Sequence, residues 1–118
     1  MMSELRKENN VIEISSEKDF YSVINQLVKD FNDEVFEERV HMLTPGNKTE
    51  LIEEVNLFLS EVCNRSITNF SQLMYLVDMP ENILAPFLLD GERCWEEFSY
   101  QVIKREYLKV LIRKKHSA

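Results

Sequence analysis

Glycine and proline are scarce: two glycines and three prolines among 118 residues leave little material for the tight turns that an all-β fold requires. The glycines, Gly46 and Gly91, stand 45 positions apart, so no glycine-rich loop can cradle a phosphate. Two cysteines, Cys63 and Cys94, make no disulfide framework. Each lies among apolar residues at helical spacing, which predicts two small buried hydrophobes. Histidine is limited to His41 and His116, too few for a histidine-rich metal centre. No apolar run approaches the ~18 residues of a membrane span, and residues 1–10 lack the apolar core of a signal peptide. The expectation is a cytoplasmic protein with no membrane contact, in which the Asn-x-Ser/Thr triplets at Asn47, Asn64 and Asn69 are coincidental.

Apolar side chains and charge are abundant. A hydrophobic fraction of 44% with 30% charged residues is that of an ordinary globular protein, long enough for one domain with its own core. The net charge of -7 divides unevenly. Residues 1–103 hold 20 acidic and 8 basic side chains, whereas residues 104–118 hold 1 acidic and 6 basic. Cations at a helix C-terminus complement the macrodipole, and a basic end can also dock on an acidic surface of its own chain or of a partner.

The periodicity predicts an all-α single domain, a bundle of about five helices with a long C-terminal helix, over residues 15–118. Residues 1–14 are expected to form a flexible arm whose apolar patch, Val11, Ile12 and Ile14, lies on the body. Ser15 or Ser16 caps a helix with Phe20, Val23, Ile24, Leu27, Val28 and Phe31 on one face. The pattern falters at Asn32, and Asp33 is expected to recap a shorter helix to about Leu43. Thr44-Pro45-Gly46-Asn47 marks a turn, after which Asn47 and Glu50 resemble a capping box for a helix buried through Leu51, Val55, Leu59 and Val62. Thr68 or Asn69 is expected to cap a helix apolar all round, hence central in the bundle, and Pro80 to open a short helix limited by Pro86.

The final helix is predicted to run from Asp90 to Lys115. Its first half has one apolar stripe, Cys94, Trp95, Phe98 and Val102, and in the second half Arg105, Glu106, Lys109 and Arg113 stand where that stripe would continue. The two halves are therefore expected to pack against different neighbours. Tyr107, Leu108, Leu111 and Ile112 become candidates for an interface with another chain.

Glu38 and His41 have the spacing of two metal ligands on one helical face, but a di-metal site requires a second such pair. The segment from Gln72 to Leu88 has the rhythm of a helix-turn-helix, yet its second helix offers Glu81, Ile83, Leu84, Pro86 and Phe87 to DNA and would repel phosphates. Neither cysteine has a base near it in sequence that would make a reactive thiolate. The expectation is a non-enzymatic chain that needs no cofactor or metal. Its leading role is a protein-interaction module that self-associates as a homo-oligomer or holds a protein partner. The alternative is a small regulator contacting nucleic acid through Lys104, Arg105, Lys109, Arg113, Lys114 and Lys115; the acidic remainder of the chain speaks against a broad nucleic-acid footprint.

Overall fold

The computed structural model describes Ile14 and residues 16–116, and they form six helices. These are α1 (Glu17–Phe31), α2 (Glu34–His41), α3 (Lys48–Arg65), α4 (Ile67–Val77), α5 (Glu81–Leu89) and α6 (Trp95–His116). No strand occurs among the described residues, and the fold is all-α. Of the expected arm, Val11 and Ile12 lie outside the described residues. Ile14 is half-buried and lines a recess of about 30 Å³ together with Leu51, Ile52, Tyr100, Ile103 and Tyr107 among others.

The helix boundaries follow from short polar residues. Ser16 caps α1 by accepting from the Asp19 N–H at 3.0 Å. Asn32 adopts the left-handed conformation, φ 49°, that asparagine tolerates, and its N–H closes the helix on the Val28 carbonyl. One residue later Asp33 is extended again and its side chain accepts from the Phe36 N–H at 2.9 Å, so the segment from Glu17 to His41 is two helices. Asn47 caps α3 through the Glu50 N–H, 3.0 Å.

Three boundaries differ from the sequence expectation. Ser66, not Thr68 or Asn69, caps α4; one extended residue ends α3 through its N–H and starts α4 through its hydroxyl, so no loop is needed. Pro80 sits just before α5 and not within its first turn. The last helix begins at Trp95, because the preceding residues are used to finish α5. Asp90 accepts from the Glu92 N–H in a tight turn, and the Arg93 guanidinium donates to the Phe87 and Leu88 carbonyls at 3.3 and 2.9 Å. These are carbonyls that a helix end leaves without partners. Cys94 consequently precedes α6 and is exposed, whereas Cys63 is buried as expected.

α6 is the central packing element, lying against α1 and α3 and, less extensively, α4. Its buried face is Phe98, Val102, Ile103, Tyr107 and Val110, closed by Phe20, Ile24 and Leu27 of α1 and Leu51, Val55 and Leu59 of α3. Two aromatic clusters close the ends of the core. Phe31, Phe36 and Phe58 meet at 4.7–5.2 Å between ring centroids, and Phe87 stacks on Phe98 at 4.0 Å beside Phe70 and Trp95. α4 is not enclosed on all sides: Phe70, Leu73, Met74 and Val77 face inward, while Tyr75 and Leu76 are 77% and 59% exposed. It forms one wall of the bundle.

Two leucines of α3 separate burial from mere apolarity. Leu59 is fully buried and Leu57 is 42% exposed. Leu59→Ala is expected to cost about 2–5 kcal/mol and Leu57→Ala within about 0.5 kcal/mol in urea unfolding.

Candidate functional site

The side chains of α6 that interrupt its apolar stripe form a polar seam against α1. Lys109 Nζ lies 2.7 Å from Asp30 Oδ2 and donates also to the Leu76 carbonyl at the end of α4. Gln26 donates to the same Asp30 oxygen at 3.2 Å and accepts from Arg113. Lys114 pairs with Asp19, which also accepts from the Tyr107 hydroxyl at 3.3 Å, and Arg105 reaches Asp78 at 3.3 Å. Asp19 therefore faces the end of α6 and Asp30 a point further back, so the two helices run antiparallel. The basic end of the chain docks on its own acidic body. Neither half of α6 needs a groove of its own, because the carboxylates of α1 neutralise the cations that replace the apolar stripe.

Glu106 sits inside this seam with no exposed surface. Its carboxyl is buried beside Asp30, and Lys109 Nζ is 3.5 Å away. Burial, followed by the neighbouring Asp30 carboxylate, pushes its pKa from 4.5 up to about 9, so the group is neutral near pH 7. Burial also works to raise Asp30, but the hydrogen bonds from Glu106, Lys109 and Gln26 outweigh it and hold that carboxyl below its ordinary value. The hydrogen bond from Lys114 holds Asp19 below the usual carboxylate range as well. A neutral carboxylic acid thus stands beside a carboxylate and a lysine, an arrangement that removes the like-charge repulsion of two buried anions.

The opposite face of α6 carries the other candidate residues. Tyr107 is 4% exposed and belongs to the core. Leu108 is half-buried, and Leu111 and Ile112 are 37% and 57% exposed. At about 100° per residue these three share the side turned away from α1 and α3, with Lys104 and Lys115 on the same side. Among the basic residues, Arg105, Lys109, Arg113 and Lys114 are drawn to the inner seam, while Lys104 is half-buried and Lys115 exposed on the outer side.

No family model, curated protein or solved structure matches this chain.

Glu38 and His41 are exposed on α2, and among the described residues no group of three or more histidine, cysteine or acidic side chains is placed to hold a metal. A cleft of about 340 Å³ opens between α1 and α6, lined by Ser22, Asn25, Gln26, Lys29, Arg113 and Lys114 among others. Its Arg113 and Lys114 are engaged with Gln26 and Asp19, and no nucleophile–base pair converges on it. Sequence reasoning missed the burial of Glu106 and Ser99, both on the inner face of α6. The available signal was their spacing, since Glu106 follows Val102 and Ile103 at i+4 and i+3 and so falls on the same face.

Because the folded-state pKa of Glu106 is raised above its unfolded value, its contribution is fully present below about pH 4.5 and is lost as pH rises toward about 9. Glu106→Gln, which keeps a neutral donor, is expected to be more stable than the native chain at pH 8 by on the order of 5 kcal/mol, with little difference at pH 4.5. Denaturant unfolding across this range measures both; a native chain as stable at pH 8 as at pH 5 would contradict the neutral Glu106.

Proposed function

We propose that this protein is a non-catalytic interaction module that associates through the outward face of α6, with a second copy of the chain or with another protein. The observation that carries the reading is the disposition of Tyr107 through Ile112. Tyr107 and Val110 supply the core, whereas Leu108, Leu111 and Ile112 repeat at i, i+3, i+4 on the side turned away from α1 and α3. A core helix with one packed face ordinarily turns polar side chains outward. Single exposed leucines need no explanation; three apolar side chains on one turn-to-turn stripe form a surface suited to another helix.

The ion pairs of the inner seam weigh against nucleic acid as the ligand of the basic end. A phosphate contact by Arg105, Lys109 or Lys114 would have to displace Asp78, Asp30 or Asp19, leaving acidic side chains facing the phosphate backbone. No helix among the described residues is long and apolar enough to cross a membrane.

Replacing Leu108 and Ile112 together by glutamate is expected to abolish association while leaving the helical circular dichroism signal within about 5% of native, since neither side chain belongs to the core. Sedimentation velocity over a tenfold concentration range checks the first and circular dichroism the second. Undiminished association in the double variant would place the interface elsewhere.

A further inference from the structure

The outward face of α6 is self-complementary, and its two ends carry opposite charge. Glu97, Gln101, Lys104, Leu108, Leu111 and Lys115 recur at alternating steps of four and three residues, the repeat that lets two helices pack along a common seam. Glu97, Leu111 and Lys115 are exposed, and Gln101, Lys104 and Leu108 half-buried, so the stripe remains at the surface along its length. At its N-terminal end a cleft of about 250 Å³ lies between α5 and α6, with apolar walls from Ile83, Phe87 and Phe98 and an acidic rim from Asp90 and Glu97. At its C-terminal end stand Leu111, Ile112 and Lys115, an apolar pair followed by a cation.

We infer that the occupant of this face is a second copy of the chain, with the two α6 helices antiparallel about a two-fold axis near position 106, so that each basic end enters the acidic-rimmed cleft of the other protomer. This deepens the interaction reading above and rests on it. In that register Glu97 faces the partner's Lys115, Gln101 faces the partner's Leu111, and Lys104 lays its aliphatic stem along the partner's Leu108. The two Leu108 side chains then flank the axis about 6 Å apart along it, and each Leu111 packs on the partner's Gln101. The matched stripe spans 18 residue steps, about 27 Å of helix, and both protomers contribute the same surface, as a two-fold dimer requires. Charge selects this register over its neighbours. Sliding the helices until Leu108 meets the partner's Leu111 would set Lys104 against the partner's Lys115 and move Glu97 beyond reach of a cation. A parallel pairing would set Lys115 against the partner's Lys115 and Glu97 against the partner's Glu97.

The test uses the full-length chain in sedimentation equilibrium, comparing the native protein with Glu97→Lys, Lys115→Glu and the combination of both. Each single substitution turns two attractive pairs into two repulsive ones and is expected to weaken the dimer about tenfold at low salt. The combined substitution restores the native constant, because both pairs reappear with their signs exchanged. Native protein that is monomeric throughout overturns the second copy as occupant. A dimer that is lost on Leu108→Glu with Ile112→Glu, but indifferent to the single charge reversals, keeps the α6 interface and overturns the antiparallel register. A dimer indifferent to all these substitutions overturns both the register and the α6 interface.

Discussion

The contact between α1 and α6 is the constraint on which the rest of the bundle depends. A helix of 22 residues cannot lie along an apolar core with Arg105, Glu106, Lys109 and Arg113 on its inner side unless something satisfies them. α1 supplies Asp19, Gln26 and Asp30 at the points where those side chains arrive, and the end of α4 supplies Asp78 and the Leu76 carbonyl. The antiparallel orientation follows from this matching, since a parallel α1 would bring Asp30 to the end of α6 and leave Glu106 beside no proton acceptor. The most deeply buried member, Glu106, is tolerated because it is neutral. Glu106 keeps its proton while Asp30 is ionised, so the interior takes one negative charge, and Lys109 offsets it.

That matching also explains the charge asymmetry of the chain. The basic stretch beyond position 103 is drawn inward by the acidic body, and four of its six cations touch α1 or the end of α4. What remains on the outside of α6 is less charged and more apolar than the sequence of that stretch suggests. The inner seam therefore shapes the outer surface: with the polar side chains turned toward α1, Leu108, Leu111 and Ile112 are left facing solvent. The apolar outer face of α6 is thus set by how the helix is anchored within its own chain.

Much of the architecture was legible in local sequence. The stripe from Phe20 to Phe31 is buried as its spacing implies, and Asn47 caps α3 by a rule that involves only three residues. The division at Asn32 and Asp33 could be read because left-handed asparagine and an aspartate cap are local events. The missed boundaries depended on distant partners or on competition between caps. Asp90 and Gly91 carry the marks of a helix start, but Arg93 ties that stretch back to α5, so α6 begins four residues after Gly91 and Cys94 is left exposed. The uniform apolarity of α4 implies enclosure, and nothing in its own residues says that Tyr75 and Leu76 are exposed.

By itself, the sequence determined the helical class, the division into short capped helices and the acidic body with its basic end, because capping, periodicity and charge are properties of neighbours along the chain. Only the tertiary structure decided which carboxylate meets which cation, that Glu106 is buried and neutral, and that Tyr107 belongs to the core while Leu108 and Ile112 do not. Those outcomes depend on the rotation of α6 about its own axis against α1 and α3. The single-helix pattern leaves that rotation open, since a helix apolar over most of its circumference can turn several faces inward. The rotation was fixed by Asp19, Asp30 and Asp78, residues between 27 and 95 positions away from the cations they hold.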